Sequence, residues 1–160
     1  MKKEKKKLIV ILGPTASGKT SLAVELAYKF NGEIVSADSR QVYKGMDIGT
    51  GKDLEEYKFK GKNIPYHLID VVKPNTKFSL ARYQKLAYKA IDNILKGGKA
   101  PFLVGGTGLY IQAVVDGYVL PLAKPDLELR KRLAKFSLKQ LLARLKKSSK
   151  ASASGLSWTR

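Results

Sequence analysis

The sequence has 160 residues, of which 44% are hydrophobic and 28% are charged. These proportions are typical of a globular protein and exclude a wholly disordered chain, and the length suffices for one hydrophobic core. There are 31 Lys and Arg against 13 Asp and Glu, so the net charge is +18. Such a surplus attracts polyanions and makes nucleic acid the leading partner, although a solvated Lys-rich surface would have the same composition.

The sequence contains no cysteine, which excludes disulfides and thiolate zinc sites. The basic start of the chain is followed by only five apolar residues, 8–12. This run is too short for a signal-peptide core or a membrane span. We therefore expect a cytoplasmic protein without a membrane segment.

The first predicted elements are a strand, a glycine-containing turn and a helix. Residues 8–12 are apolar and rich in β-branched side chains, which predicts a strand buried on both faces of a parallel sheet. Residues 21–30 place Leu22, Leu26 and Phe30 on one helical face, which we expect to be the packed one. Asn31 and Gly32 are typical of a helix end.

The turn between this strand and helix matches the phosphate-binding pattern G-x-x-x-x-G-K-[ST]. Its residues are Gly13, Pro14, Thr15, Ala16, Ser17, Gly18, Lys19 and Thr20. The backbone N–H groups of such a loop surround a phosphate, Lys19 adds a positive charge, and the Thr20 hydroxyl can bind Mg²⁺. The pattern does not define the reaction, because phosphate loops serve triphosphate hydrolysis, phosphoryl transfer and diphosphate recognition alike.

The following segments alternate between strands and helices. A long polar connection covers residues 39–63, and its length argues for a role of its own. The predicted strands cover residues 33–37, 66–72 and 101–104, and the predicted helices cover residues 80–96 and 108–115. This order predicts an α/β fold of the P-loop type, a doubly wound and mostly parallel sheet with flanking helices, whose ligands bind at the carboxyl ends of the strands.

The last part of the chain is predicted to contain one basic amphipathic helix over residues 125–147. We expect its apolar stripe to be buried, either against this sheet or against a partner. The stripe consists of Leu129, Leu133, Phe136, Leu141 and Leu145. Residues 148–160 show no periodicity and are predicted to be a disordered tail, so that residues 1–147 form the folded domain.

Polar residues follow the predicted second strand, where ligands bind in such sheets. Asp38 there could accept a proton from a nucleophile, bind magnesium or cap a turn. His67 is the single histidine, and we interpret it as a hydrogen-bonded structural residue because no set of metal ligands accompanies it. Asp70 could lie near a magnesium ion or cap a turn.

Together with residues 44–50, 66–70 and 104–110, the stretch from Ser36 to Tyr43 strongly resembles the tRNA dimethylallyltransferase family, also called tRNA isopentenyltransferase. The resemblance runs from about residue 8 to about residue 145 and covers the N-terminal half of family members. It leaves out a helical insertion that grips tRNA, so we expect feeble turnover, and it places residues 148–160 outside the family.

The resemblance implies transfer of a dimethylallyl group from dimethylallyl diphosphate to the exocyclic amine of the adenine 3′ of the anticodon. Lys19 and an Mg²⁺ held by Thr20 would neutralise the leaving pyrophosphate, and Asp38 matches the general base. Thr107 aligns with a residue near both the diphosphate and the tRNA. The positions that match tRNA contacts are Asp38, Ser39, Arg40, Gln41, Thr107 and Arg130, although Arg130 also fits a solvated helix face. We expect a monomer.

Three alternatives stay open on the sequence. An enzyme that prenylates free adenine nucleotides would use a closely similar phosphate loop and base. A small-molecule kinase would share the strand, the loop and the basic helix but transfer phosphate from ATP. A remnant without catalysis would bind tRNA or pyrophosphate through its charge and its loop.

Overall fold

The structure, a computed structural model, describes residues 7–120 and 125–148 and alternates strands with helices. The first elements in chain order are β1 (Ile9–Leu12), α1 (Lys19–Lys29), β2 (Gly32–Ser36), β3 (Lys58–Phe59), β4 (Lys62–Asn63) and β5 (Tyr66–His67). They are followed by α2 (Leu80–Lys96), β6 (Ala100–Gly105), α3 (Gly108–Val115), α4 (Leu127–Leu133) and α5 (Leu138–Ser148). The chain divides into two compact units, Met1–Pro121 and Leu122–Arg160.

A four-stranded sheet forms the centre of the first unit. Its strand order is β1-β6-β2-β5, and every pair is parallel. Helix α1 packs on one face, while α2 and α3 pack on the other. The predicted class, a P-loop type α/β fold with a doubly wound parallel sheet, is confirmed.

The two central strands bury side chains on both faces. Ile34 of β2 and Phe102 of β6 face α1, whereas Val35 and Leu103 face α2, and all four are fully buried. Successive side chains of a strand point to opposite faces, so a sheet covered by helices on both sides requires continuous apolar runs. This requirement explains why β2 and β6 were recognisable in the sequence.

Helices α2 and α3 have the predicted boundaries. The Ser79 hydroxyl accepts the N–H of Arg82 at 3.3 Å and caps α2, whose inner face buries Tyr83. The Tyr83 hydroxyl donates to the carbonyl of Ser36 at 3.1 Å, and its ring stacks on Tyr110 of α3 with 3.8 Å between centroids. One buried tyrosine thus fixes both helices to the carboxyl end of β2.

The expectation that β1 is buried on both faces is wrong. β1 lies at one edge of the sheet and, among the described residues, pairs with β6 alone. The side chains of Ile9, Val10 and Leu12 are 36%, 39% and 59% exposed. An all-apolar run predicted the strand correctly, but position within the sheet depends on pairing partners that one short run does not specify.

The predicted packed face of α1 is also wrong. Leu22 and Phe30 are exposed and Leu26 is half-buried against the core, whereas the fully buried side chains are those of Ala23, Val24 and Ala27. These side chains are small, so the helix axis can approach the sheet closely. Leucine and phenylalanine spacing alone selected the wrong side of this helix.

The third predicted strand is shorter than expected. Only Tyr66 and His67 pair in β5, because Leu68 and Asp70 adopt left-handed backbone angles, with φ of 67° and 55°. The chain then runs beside residues 41–44, where Asp70 N–H donates to the Gln41 carbonyl and Tyr43 forms a bridge with Val72.

The long polar connection is folded rather than irregular. It contains two 3-10 helices, Ile48–Thr50 and Leu54–Tyr57, and a hairpin formed by β3 and β4. Thr50 and Tyr57 are buried in it. The connection therefore forms a wall of the first unit, in agreement with the expectation that its length serves a purpose.

The second unit contains two helices where one was expected. α4 ends before Ala134, and α5 begins after a capping box in which Ser137 Oγ accepts the Gln140 N–H and Gln140 Oε1 accepts the Ser137 N–H. The spacing S-x-x-Q was the overlooked signal.

The apolar stripe is not buried among the described residues, and its burial against a partner stays a prediction. Leu129 and Leu145 are exposed, and its other members are half-buried. The expected tail beyond Ser148 lies outside the described residues. No described helix is long and apolar enough to span a bilayer.

Glu33 joins three segments of the first unit. Its carboxylate lies 2.7 Å from His67 Nε2 on β5 and 2.7 Å from Lys99 Nζ before β6. Burial by itself raises the pKa of Glu33, but hydrogen bonds from Lys99 and His67 outweigh it, and the pKa lies below its ordinary value. The ionised carboxylate therefore stabilises the folded state.

Gly105 allows a close backbone contact that a side chain would prevent. A Cβ at this position would lie 2.3 Å from the Ala37 carbonyl oxygen, which belongs to the backbone and has little room to move. We expect Gly105→Ala to lower the free energy of unfolding by about 1–3 kcal/mol, a typical cost of overpacking. Denaturant unfolding measures this. Gly97→Ala is the control, since its Cβ meets nothing closer than 3.4 Å, and an equal loss in both variants would contradict the steric account.

A change of pH tests the Glu33 cluster. Because the folded-state pKa of Glu33 is lowered, its contribution is complete above the unfolded pKa of about 4.3 and is lost as the pH falls through the lower folded value. Glu33→Gln should therefore destabilise the protein at neutral pH and should weaken the loss of stability on acidification. Thermal unfolding between neutral and acidic pH measures both effects. Glu25→Gln, at an exposed pair with Lys29, should change little, and parallel curves for Glu33→Gln and the parent protein would contradict the expectation.

Candidate active site

Three loops meet where β1, β2 and β6 end at one edge of the sheet. The Ala37 N–H donates to the Val104 carbonyl at 2.7 Å, and the Thr107 N–H donates to the Ala37 carbonyl at 3.1 Å. The Gly13 N–H donates to the Gly105 carbonyl at 3.5 Å. These backbone hydrogen bonds continue the sheet beyond the strands and hold the loops together.

The first loop, residues 13–20, has the geometry of an anion-binding turn. Ala16 and Gly18 adopt left-handed angles, with φ of 62° and 76°, and α1 begins at Lys19. No side chain caps the N-terminus of α1, and its first turn contains no acidic residue. The backbone N–H groups and the positive end of the helix are therefore available to a phosphate.

The side chains of this phosphate loop fit the prediction. Lys19 Nζ donates to the Pro14 carbonyl at 2.9 Å, so the ammonium lies over the loop. A Cβ on Gly13 would lie 2.8 Å from Ser17 Oγ, so a larger residue here would require the Ser17 side chain to rotate. Residues 13–20 thus form a closed turn with one cation directed back over it.

Asp38 begins the second loop, and its carboxylate caps a turn. Asp38 Oδ1 accepts the Arg40 N–H at 2.8 Å and the Gln41 N–H at 3.4 Å. Asp38 also lines the same cavity as the phosphate loop. Capping and chemistry are compatible, because the cap uses one carboxylate oxygen and fixes the direction of the other.

The cavity has a volume of about 260 Å³ and brings together two of the predicted groups. From the phosphate loop it is lined by Thr15, Ala16, Gly18, Lys19 and Thr20, and from the second loop by Asp38 and Gln41. Its remaining lining residues were not predicted and are Ser21, Ser36, Thr50, Gly51, Glu56, Tyr57, Val104 and Gly105. Thr50 lies in the stretch of residues 44–50 that resembles the family, whereas the signal for residues 51–57 was the length of the connection that contains them.

Gln41 is oriented by three hydrogen bonds. Its amide nitrogen donates to the carbonyls of Thr50 at 3.5 Å and Gly51 at 3.3 Å, and its amide oxygen accepts the Ser36 hydroxyl at 3.4 Å. The side chain therefore has a defined direction at the cavity wall.

Ser39 and Thr107 lie beside the cavity and connect the second loop to α3. The Ser39 N–H donates to Thr107 Oγ1 at 3.0 Å, and the Thr107 hydroxyl lies 3.4 Å from Ser39 Oγ. Arg40 is exposed and lines a separate surface groove with residues 45–50. Arg130 is exposed on α4 in the second unit, and its role stays a prediction.

The two remaining candidates have structural partners. The interpretation of His67 is confirmed by its hydrogen bond to Glu33, and His67 does not line the cavity. Asp70 accepts Lys52 Nζ at 2.6 Å, which makes it part of an ion pair. Burial, followed by the nearby charge of Glu56, raises the pKa of Tyr57, so its hydroxyl stays protonated at the cavity wall.

The oxygen atoms around the cavity suit a hard cation. Thr20, Asp38 and Glu56 all line it, and Mg²⁺ prefers hydroxyl, carboxylate and phosphate oxygens. Among residues 7–120 and 125–148, no group of three or more His, Cys, Asp or Glu could hold a metal by itself. Mg²⁺ fits here in the manner usual for phosphate sites, through few protein ligands together with phosphate oxygens and water.

Comparison with known proteins identifies relatives with the same arrangement of elements. The full-length tRNA isopentenylpyrophosphate transferase from Bacillus halodurans superposes with a TM-score of 0.69 at 42% identity, covering 96% of this chain and 51% of that one. A eukaryotic dimethylallyltransferase acting on tRNA superposes with a TM-score of 0.76 at 34% identity, covering 89% of this chain and 35% of that one.

Curated sequences that are similar to this chain are likewise named tRNA dimethylallyltransferase. tRNA dimethylallyltransferase 1 of Syntrophus aciditrophicus is 55% identical over 136 residues, which are 85% of this chain and 45% of the relative. The corresponding protein of Geotalea daltonii is 54% identical over 138 residues, 86% of this chain and 44% of the relative. The chain thus spans about half the length of the curated relatives it matches.

A family model described as IPP transferase matches residues 41–159, a range that also includes most of the segment after Ser148. This range is well over half of the chain, and it begins inside the Asp38 turn that faces the phosphate loop. The chain therefore belongs to the IPP transferase family.

Proposed function

We propose that this protein transfers a dimethylallyl group from dimethylallyl diphosphate to the exocyclic amine of the adenine 3′ of the anticodon in tRNA. The observation that carries the proposal is that Asp38 and the phosphate loop line one cavity. A diphosphate leaving group and a proton-accepting carboxylate can therefore act on the same reacting atoms. Relatives named tRNA dimethylallyltransferase support the choice of donor and acceptor.

The donor half of the site consists of residues 13–20. Their backbone N–H groups and Lys19 would bind the diphosphate, and Thr20 would hold Mg²⁺. When bound, Mg²⁺ supplies positive charge that stabilises the departing pyrophosphate. Rotation of the half-buried Lys19 side chain away from the Pro14 carbonyl would bring its ammonium to the leaving group.

The acceptor half centres on Asp38. The adenine amine forms a bond to C1 of the dimethylallyl group while the C1–O bond breaks, and pyrophosphate leaves with the bonding electron pair. The amine nitrogen gives one proton to the Asp38 carboxylate. Adenine amines are weak nucleophiles because their lone pair is delocalised into the ring, so holding the reacting atoms in place contributes much of the rate.

The tRNA substrate is supported by charge and by a relative. The net charge of +18 suits a polyanion, and the eukaryotic neighbour is described as acting on tRNA. The target adenine must leave the base stack of the anticodon loop to enter the cavity. Gln41, with its fixed amide, and the exposed Arg40 are the side chains that we propose contact the nucleotide.

Substitution of Asp38 tests the reaction itself. With labelled dimethylallyl diphosphate, Mg²⁺ and an anticodon stem-loop containing the 3′ adenine, we expect prenylated RNA. Asp38→Asn should lower transfer by on the order of 10²–10⁴-fold, the usual range for general base catalysis. Asparagine keeps an oxygen that can accept the Arg40 N–H, so the turn is preserved. Asp53→Asn is the matched control, because Asp53 caps a 3-10 helix at a comparable turn.

Several results would contradict this assignment. Prenylation of AMP or ATP with no transfer to RNA would identify a free-nucleotide enzyme, and phosphorylated product formed from ATP without any prenyl donor would identify a kinase. Unchanged transfer by Asp38→Asn would remove Asp38 from the chemistry. Transfer as fast as that of a relative of full length would contradict the expected feeble turnover.

Pyrophosphate binding tests the donor half without any acceptor. A ligand that binds only the folded protein raises the unfolding midpoint, by an amount set by RT ln(1 + [L]/Kd). We expect pyrophosphate with Mg²⁺ to raise the Tm of the protein and of Asp38→Asn alike, whereas Lys19→Met should reduce the shift. Lys29→Met, at an exposed pair on the far end of α1, is the control. No shift in the parent protein would contradict the phosphate site.

A further inference from the structure

Lys52 carries a buried ammonium outside the proposed donor site. Its side chain is 1% exposed, and its Nζ donates to three oxygens. These are the Tyr43 carbonyl at 2.9 Å, Asp47 Oδ1 at 2.7 Å and Asp70 Oδ1 at 2.6 Å. An ammonium has three N–H donors, so every donor of this lysine has a partner.

The three acceptors come from three different parts of the chain. Tyr43 precedes the loop of residues 44–52, Asp47 lies in the middle of that loop, and Asp70 follows β5. Lys52 itself ends the loop. One ammonium therefore joins both ends and the centre of residues 44–52 to the segment that follows β5.

The loop has few other anchors. Its two large apolar side chains, Met46 and Ile48, are 43% and 102% exposed, so they contribute little packing. The buried Thr50 hydroxyl donates to the carbonyls of Met46 and Asp47, contacts that lie within the loop itself. Besides Lys52, the polar links from this loop to the rest of the first unit include the Lys44 N–H, which donates to the Val72 carbonyl at 2.8 Å, and the Gln41 amide.

The loop in turn holds a side chain that faces Asp38. The carbonyls of Thr50 and Gly51 accept the Gln41 amide, and both residues line the cavity. A contact path therefore runs from Lys52 through Thr50 and Gly51 to Gln41. The phosphate loop does not take part in it.

We propose that Lys52 is a positioning residue for the acceptor half of the site, which fixes residues 44–52 so that Gln41 holds the acceptor base against Asp38. The inference rests on the proposed function. Without the ammonium, the carboxylates of Asp47 and Asp70 would repel each other, and Asp47 in the centre of the loop would lose its link to Asp70, although backbone hydrogen bonds would still hold the start of the loop beside residues 70–72. Donor binding should be affected much less, since the hydrogen bonds of Lys52 go to Tyr43, Asp47 and Asp70 and not to residues 13–20, of which Thr20 alone shares a small pocket with Lys52.

The test compares Lys52→Met with Lys58→Met in the full chain. Lys58 is also paired, with Glu55 at 2.6 Å, but both side chains are more than half exposed. Lys58→Met therefore removes a paired ammonium that is not buried and serves as the control. For Lys52→Met we expect kcat/KM for the anticodon stem-loop to fall by ~100-fold, the scale of a misplacement of about 1 Å. The affinity for pyrophosphate with Mg²⁺ should fall much less than transfer does, because Lys52 makes no hydrogen bond to residues 13–20 among the contacts of its ammonium. Lys58→Met should change neither quantity.

Asp47→Asn provides a second variant that keeps the fold. Asp47 is 61% exposed, and asparagine retains an oxygen for Lys52, so we expect a smaller loss of the same kind. Hydrogen exchange of the amides of residues 44–52 gives a readout independent of catalysis, and it should become faster in Lys52→Met but not in Lys58→Met.

The outcomes separate this inference from the proposed function. An equal loss of pyrophosphate affinity and of transfer in Lys52→Met would show a general structural role and overturn the inference. Transfer and loop exchange unchanged by Lys52→Met would overturn it as well. If the parent protein transfers no prenyl group, the proposed function fails, and unchanged exchange in Lys52→Met would separately reject the positioning of the loop.

Discussion

The close approach of Gly105 to the Ala37 carbonyl is the contact on which the site depends. It lets the loops after β2 and β6 lie against each other, and the hydrogen bonds of Ala37 to Val104 and Thr107 keep them there. The Gly13 N–H joins the phosphate loop to the same point. Parallel strands end at the same edge of a sheet. The contact between Gly105 and Ala37 therefore brings an anion-binding turn and a carboxylate into one cavity.

The two halves of the site differ in how they are built. The donor half is one continuous stretch, residues 13–20, whose shape follows from local backbone angles and the start of α1. The acceptor half is assembled from distant residues, with Gln41 held by Thr50 and Gly51, and these held in turn through Lys52 and Asp70. The donor half, a local turn, therefore tolerates substitutions elsewhere in the chain. The acceptor half loses its geometry when one of its long-range contacts is removed.

The same difference explains which features the sequence predicted. The phosphate loop, α2 and α3 followed from local pattern and came out with their predicted bounds. The edge position of β1, the inward face of α1 and the early end of β5 depend on tertiary contacts. The expectations for these three features were wrong. The break between α4 and α5 did have a local signal, the capping box at Ser137 and Gln140. The apolar stripe extends across this break, and it led to the prediction of one continuous helix. Tyr57 and Lys52 carried no pattern at all, because their roles arise from burial and pairing.

Charge is distributed unevenly along the chain, and this bears on how a polyanion would be held. Residues 125–148 contain eight Lys or Arg and two Asp or Glu, whereas residues 7–120 contain 16 and ten. A diphosphate needs only the N–H groups and the single cation of the phosphate loop, but an RNA backbone presents one charge at each phosphate and suits a strongly basic pair of helices. Exposed charges are screened beyond about 8–10 Å at physiological salt. RNA binding through α4 and α5 would therefore weaken steeply as the salt concentration rises, whereas proton transfer to Asp38 inside its cavity would not. The ionic strength thus distinguishes RNA binding from the chemical step.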